Sequence, residues 1–276
     1  MNRSCRVRRR RAQFGTSMIE SLIALPLLLI IALGAAQIAL LFEARALLNL
    51  AIYDAARAGS MANASAAVIE SALARRLAVL SFATANEQQR QDAERLSAQY
   101  LAQGQVQGWT QWRQVSPTAA SFVDWASAGR DDNGRPRGTG REISVDNLTH
   151  RILHELPASG VAGYVGAEPI GAASGQTLAQ ATMLKLELRY GAPLSVPVVG
   201  PLFGWIARQL HGCDATESKR LGTIVFNRQA ASAAADPAPQ LCRFYRGTDP
   251  WGRSVPRWPI QVSASVRLQS VLRPFP

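Results

Sequence analysis

One long apolar run constrains this chain more than any other feature. Residues 22–41 are twenty consecutive positions whose aliphatic character is interrupted only by Pro26, Gly34 and Gln37. A helix needs about 20 residues to cross the hydrocarbon core of a bilayer. A cleaved secretory signal has a shorter apolar region, about 7–15 residues, and then a small-residue cleavage site. Here the pattern continues directly into the helical stretch "FEARALLNLAIYDAARAG". The run therefore predicts a membrane-spanning helix.

The charge distribution predicts how this helix is oriented. The formal net charge is +11, and six arginines precede the apolar run without any acidic residue among them. Without these six the remaining chain carries +5, which does not call for a nucleic-acid partner. By the positive-inside rule, the leading arginines keep the N-terminus in the cytoplasm and place everything after Phe42 outside. The six are Arg3, Arg6, Arg8, Arg9, Arg10 and Arg11.

Glu20 lies where the apolar segment begins, and two explanations are open. A carboxylate near the membrane boundary can snorkel to water and stay partly hydrated. Alternatively, cleavage after Gly15 makes Thr16 the new N-terminus, with Glu20 four residues further along the same helix face. Its partner would then be an α-amine, either its own or that of a neighbouring helix. Basic residues, then glycine, then glutamate as the fifth mature residue form the arrangement of a prepilin-type leader.

The order and spacing of these residues resemble a known family. Gly15, Glu20, Pro26, Gly34 and "AARAG" at 55–59 are similar to the N-terminal module of the TadE-like proteins, the minor pseudopilins of tight-adherence (Flp-type) pili. Later segments, including "GAASGQTLAQATMLKLELRYGAPLSVPVVG", a cysteine pair and "PIQVSASVRLQS", resemble the periplasmic part of larger members.

The resemblance implies a non-enzymatic, single-pass inner-membrane protein with a periplasmic C-terminal domain, which takes part in pilus assembly without a cofactor. The implied partners are other pilus-assembly or pseudopilin subunits, and a prepilin peptidase that cleaves between Gly15 and Thr16. Glu20 would be the assembly residue.

The later part of the chain predicts an α+β domain. In "MLKLELRYG" and "WPIQVSASVRLQSVL" apolar and polar residues alternate, which is the period of half-buried strands. Two such strands on one sheet, with helices over the shared apolar face, give an α+β fold. We therefore expect a leader at 1–15, a transmembrane module at 16–59, a helical and loop region at 60–140, and an α+β periplasmic domain at 141–276.

Helix boundaries can be predicted between the membrane and these strands. An apolar stripe continues the first helix beyond the membrane, and Gly59 with the following "SMANAS" marks its end. Ser65 is a suitable N-cap for a helix over 66–80. Residues 86–103 predict a solvated helix whose thin apolar side contains Leu96 and Tyr100. The stretch "SAGRDDNGRPRGTGRE" has the composition of a surface loop.

Cys213 and Cys242 can form a disulfide if the region is exported to an oxidising compartment. The alternative is two buried thiols, but export favours the bridge. Closing a loop of about 30 residues would stabilise the fold by about 3.5 kcal/mol in the chain-entropy model.

Catalytic and metal motifs are weak. The sequence has neither a P-loop nor a G-x-S-x-G elbow. His150 and His154 are four apart and would share a helix face, but the remaining metal ligands are missing. Asp131 and Asp132 before Gly134 lack the ligand spacing of a calcium loop. We therefore predict no metal site and no catalysis.

Two alternative functions remain open. One is a DNA-uptake or secretion-type pseudopilin whose head binds cargo through arginines and Trp109, Trp112 and Trp125, although these tryptophans are more simply core or interfacial aromatics. The other is a membrane-tethered metal hydrolase built on His150 and His154.

Overall fold

The computed structural model describes residues 16–81, 86–130, 136–210, 213, 242–249 and 252–273. The described helices are α1 (Thr16–Met61), α2 (Ala66–Ser81), α3 (Glu87–Gln107), α4 (Ala119–Trp125), α5 (Leu148–His154), α6 (Leu178–Ala181) and α7 (Val199–Leu210), with a 3-10 helix at Arg243–Tyr245. The described strands are β1 (Thr110–Ser116), β2 (Ser127–Arg130), β3 (Pro136–Glu142), β4 (Val161–Val165), β5 (Glu168–Gly171), β6 (Met183–Pro193), β7 (Arg246–Thr248) and β8 (Ser254–Arg267).

A four-stranded antiparallel sheet forms the centre of the fold, with the order β1-β6-β8-β7. The alternation predicted for β6 is confirmed, because Leu184, Leu186 and Leu188 are fully buried on one face. The predicted strand in "WPIQVSASVRLQSVL" is β8, and it pairs directly with β6, with Leu188 opposite Val262. Helices α1 and α2 belong to the same core, so the predicted α+β class is confirmed. The sheet takes β1 from the region 60–140 and the other three strands from 141–276.

Helix α1 runs from the apolar segment into the core without a break. Beyond the apolar run, Leu48 and Ile52 are fully buried against the rest of the domain. Helix α1 ends at Met61, within the stretch from Gly59 to Ser65 that the sequence indicates as its end. A Cβ at Gly59 would lie 2.7 Å from Cγ1 of Ile69 on α2, so this glycine permits close packing of two helices. We call the described residues from 48 onward the head.

The helices α2 and α3 begin near their predicted positions. Helix α2 starts directly after Ser65, and the side chain of Asn86 accepts a hydrogen bond of 2.8 Å from a backbone N–H of α3. The predicted apolar side of α3 was half wrong: Tyr100 is buried, but Leu96 is exposed. Ser97 is buried instead, and its hydroxyl donates to the carbonyl of Ala74 on α2. A small hydroxyl residue at the contact lets the two helices approach.

The stretch predicted as a surface loop contains a hairpin. Strands β2 and β3 pair with each other, with Ser127 opposite Glu142 and Ala128 opposite Arg141. Gly129, Gly138, Gly140 and Pro136 lie within the strands themselves, so residues that are common in turns concealed the pairing. Asp131, Asp132 and Gly134 lie outside the described residues.

A buried arginine connects one end of the sheet to α3. Arg257, near the start of β8, is fully buried. Its guanidinium donates hydrogen bonds to the carbonyls of Gly191 (2.7 Å) and Thr248 (2.5 Å) and to the hydroxyl of Tyr100. It also stacks on the indole of Trp109, 3.8 Å from the ring centroid. No described carboxylate forms an ion pair with it, so carbonyl dipoles and ring faces hold this charge.

A buried aspartate fastens a second region of the head. Asp124 on α4 accepts hydrogen bonds from the Ser159 hydroxyl, from the backbone N–H of Ala173 (3.2 Å), and from the N–H (2.7 Å) and hydroxyl (2.5 Å) of Ser174. Burial opposes its ionisation, but these hydrogen bonds outweigh burial and hold the pKa of Asp124 below its ordinary value. A Cβ at Gly171 would lie 2.2 Å from the carboxylate, so only glycine fits there. Asp124 thus ties the turn after β5 to α4.

Candidate functional site on the membrane helix

The described side chains in the first part of α1 are exposed. Every side chain from 20 to 32 is exposed, although most of them are aliphatic. The described chain has one helix that is long and apolar enough to cross a membrane, Glu20–Met61, and only 6% of its apolar window is buried. An exposed apolar surface of this size marks contact with a membrane or with another protein. The large exposed side chains of this part are Leu22, Ile23, Leu25, Leu27, Leu28, Leu29, Ile30 and Ile31.

The predicted processing and assembly residues lie at the start of this segment. Gly15 is outside the described residues, and Thr16 is the first residue of α1. Glu20 follows one turn later, about 6 Å along the helix axis. Its side chain is exposed, and no described residue forms an ion pair with it. An ionised carboxylate on an otherwise apolar membrane helix is costly without a partner. The geometry thus leaves Glu20 free to pair with a group outside the described chain.

Pro26 and Gly34 are two further unusual positions of the apolar run. Helix α1 continues through Pro26, which removes one backbone donor inside the membrane segment. A Cβ placed on Gly34 would meet nothing within 4 Å. The head therefore does not require glycine there. Small residues on membrane helices allow the backbone of a neighbouring helix to come close.

Gln37 marks the point where the head reaches the apolar run. It is fully buried, and its Oε1 accepts a hydrogen bond of 3.0 Å from the backbone N–H of Val196. Its Nε2 has no hydrogen-bond partner among the described residues. Val196 belongs to the link between β6 and α7. The sequence showed Gln37 only as an interruption, but a lone amide in an aliphatic run is a signal for a polar contact.

The C-terminal part of the apolar run has one covered face. Leu41 and Ala44, which follow Gln37 at helical spacing, are partly buried against the core. On the other faces of the same turns, Ile38 and Phe42 stay exposed. The head therefore touches the membrane helix along one stripe and leaves its other faces free.

The structure joins Cys213 to Cys242 with an S–S distance of 2.01 Å. The bond connects the chain after α7 to the 3-10 helix at Arg243–Tyr245. Helix α7 and the 3-10 helix, which both contact β8, are thus linked covalently.

The residues considered for metal chemistry do not converge on a site. The rings of His150 and His154 are 4.5 Å apart on α5, as their spacing predicted, and both residues are exposed. Within the described ranges, no three or more His, Cys, Asp or Glu residues are placed to hold a metal. His211 lies outside those ranges.

The three head tryptophans are mainly structural. Trp109 and Trp125 are buried in the core, as the simpler interpretation expected. Trp112 packs at the edge of the core, and its Nε1–H donates to Glu70 at 3.1 Å. The two buried indoles cannot stack on nucleobases in this fold.

Comparison with known proteins finds one family that is similar to the first helix. Residues 15–57 match the family model described as TadE-like protein. This segment is similar to the domain of TadE-like proteins. The match covers nearly all of α1 and confirms the resemblance there, while the later segments lie beyond it. No curated protein and no solved structure matches the chain. A TadE-like domain suggests a role in the assembly of tight-adherence pili, and its apolar helix fits a single-pass membrane protein.

Proposed function

We propose that this protein is a membrane-anchored, pseudopilin-like component of tight-adherence pilus assembly that acts without catalysis. The observation that carries the proposal is the bare apolar surface of α1, with Glu20 at its start, inside the TadE-like domain. The leading arginines place the N-terminus in the cytoplasm. The head then lies in the periplasm, anchored to the inner membrane.

In this role Glu20 neutralises an α-amine within the bilayer. Cleavage after Gly15 creates such an amine at Thr16, one helical turn from Glu20. Glu20 pairs either with this amine or with the corresponding amine of a neighbouring subunit. Two opposite unit charges about 4 Å apart attract each other by about 4 kcal/mol at an effective dielectric constant of about 20. Because the pairing requires one particular offset between helices, it sets their register, while the aliphatic residues after Glu20 supply the contact area.

Glu20→Ala tests the assembly role. We expect the variant to insert into the membrane normally, since the aliphatic run is intact, but to lose pilus formation. Electron microscopy of pili, with membrane fractionation of the same cells, measures both. Glu43→Ala is the matched control, because Glu43 is an exposed glutamate on the same helix beyond the apolar run. Normal piliation in the Glu20→Ala strain would disprove the assembly role.

Intact-mass analysis of the protein from its native membrane tests processing. We expect a mature chain that starts at Thr16 and lacks the basic leader. A Gly15→Lys variant should keep the leader, because it removes the glycine after which the leader is proposed to be cleaved. If the wild-type chain still carries Arg6 to Arg11, the protein is a permanent anchor and Glu20 is a boundary residue that snorkels to water.

A further inference from the structure

Helix α7 buries its small residues and exposes its large apolar ones, whereas a surface helix in water normally buries its large apolar residues. Its buried side consists of the small residues Gly200, Gly204 and Ala207, together with Val199. A Cβ on Gly204 would lie 2.7 Å from Cβ of Pro256, so this side is pressed closely onto β8.

The outer side of α7 is apolar. It carries large side chains at spacings of three and four, which form one stripe. Among the exposed positions of this helix only Gln209 is polar. Trp205 lies in the middle of the stripe with 53% of its surface exposed. The other members of this outer stripe are Leu202, Ile206 and Leu210.

The position of α7 relative to the membrane follows from Gln37. The hydrogen bond from Val196 holds the chain three residues before α7 against α1 at Gln37. If residues 22–41 fill the hydrocarbon core, Gln37 lies about 6 Å inside its outer end. The link into α7 therefore reaches the outermost part of the hydrocarbon core, just below the level at which the acyl chains meet the headgroups.

We infer that α7 lies in the lipid–water interface on the head side of the membrane, with its outer stripe immersed in lipid. The occupant of this face is the bilayer itself, since the same bilayer surrounds the exposed faces of α1 at Ile38 and Leu40, at the level of the α7 link. An interfacial helix inserts its apolar side about 5–10 Å into the boundary between headgroups and acyl chains. Tryptophan is the residue enriched at that level, because its ring is apolar and its N–H is polar.

This contact gives the head a second point of attachment beside α1. A single helix leaves a head free to tilt and to rotate about the helix axis. A second helix lying flat on the bilayer, joined rigidly to β8, fixes both angles. The inference depends on α1 spanning the membrane and not on any role in pili.

Site-directed spin labelling of the full-length protein in phosphatidylcholine–phosphatidylglycerol vesicles tests the proposal. Cys5→Ser removes the background thiol, and the Cys213–Cys242 disulfide is left oxidised. Single cysteines at Leu202 and Ile206 carry a nitroxide, whose exposure to oxygen and to a water-soluble nickel chelate gives its depth. Leu29 in the apolar run is the lipid reference. Met61 is the water reference, because it is exposed and lies about 36 Å beyond Gln37 along α1.

We expect the labels at Leu202 and Ile206 to lie about 5–10 Å below the phosphate plane, accessible to oxygen and protected from nickel. Nickel accessibility equal to that at Met61 would overturn the proposal. So would protection from both reagents together with spin–spin broadening that grows with the protein-to-lipid ratio, because a second copy would then cover this face. The assay contains no pilus machinery, so its result is separate from that of Glu20→Ala.

Discussion

Replacing Arg257 by alanine is expected to lower the free energy of unfolding by about 4 kcal/mol. The substitution removes the buried donor to the carbonyl of Gly191 and to the hydroxyl of Tyr100. Among the described residues, the substitution leaves the carbonyl of Thr248 with only the hydrogen bond from Tyr100. It also removes the group that stacks on Trp109 and leaves a cavity. Denaturant unfolding of the detergent-solubilised full-length protein at pH 7, followed by tryptophan fluorescence, measures the change.

The matched control is Arg267→Ala, on the same strand but exposed, for which we expect a change within about 0.5 kcal/mol. Arg257→Lys should lie between the two, since lysine keeps the charge but cannot reach all three acceptors or stack as a plane. A loss below about 1 kcal/mol for Arg257→Ala would contradict the view that this residue holds β6, β7 and β8 to α3.

Ionisation of Tyr190 does not contribute to the destabilisation expected for Arg257→Ala. Burial, together with the nearby Tyr100, raises the pKa of Tyr190 to about 12. Its hydroxyl therefore stays neutral at every pH at which the protein would be handled, and the Arg257 effect should be the same at pH 6 and pH 8.

Replacing Asp124 by alanine is expected to cost about 3 kcal/mol, because it removes the shared acceptor of Ser159, Ala173 and Ser174. The same unfolding experiment measures this loss. Asp92→Ala, at an exposed aspartate on α3, is the control and should change stability by less than about 0.5 kcal/mol. Equal stability of the two variants would contradict the view that Asp124 holds the turn after β5 against α4.

The pH dependence of the Asp124 contribution has a definite sign. Its pKa is lower in the folded protein than in the unfolded chain, so the unfolded chain takes up the proton first as the pH falls. The stabilisation is complete above the unfolded pKa of about 3.9 and is lost progressively as the pH falls from there through the folded pKa. Asp124→Asn should show a flatter profile below about pH 4, while the contribution of Glu187, whose pKa is also lowered, stays the same in both proteins.

Periodic features of the sequence predicted the elements that bury one continuous face. The alternation in β6 and β8, the helical stripe of α1 and the aliphatic run are repeated signals over many residues, and each is found in the structure. The class of the fold follows from them. The family resemblance depended on single positions at fixed offsets, and the match at 15–57 covers Gly15, Glu20, Pro26 and Gly34.

Side-chain contacts between residues far apart in the sequence could not be predicted from periodicity. Nothing local distinguishes the buried Arg257 from the exposed Arg267 on the same strand. Asp124 has partners 35 to 50 residues away in the chain, and Gln37 meets Val196 at a separation of 159. Only the fold brings such pairs together. Helix α7 is intermediate: its stripes are visible in the sequence, but which stripe faces the protein is decided by the packing of Gly200 and Gly204.

The unbroken course of α1 has a mechanical consequence. A helix of 46 residues measures about 69 Å, and its last quarter is part of the hydrophobic core of the head. No break in the helix separates the exposed apolar segment from the part that packs on the sheet. A displacement of the head is therefore passed along the helix to the apolar segment, and a shift of that segment along its axis would likewise displace the sheet.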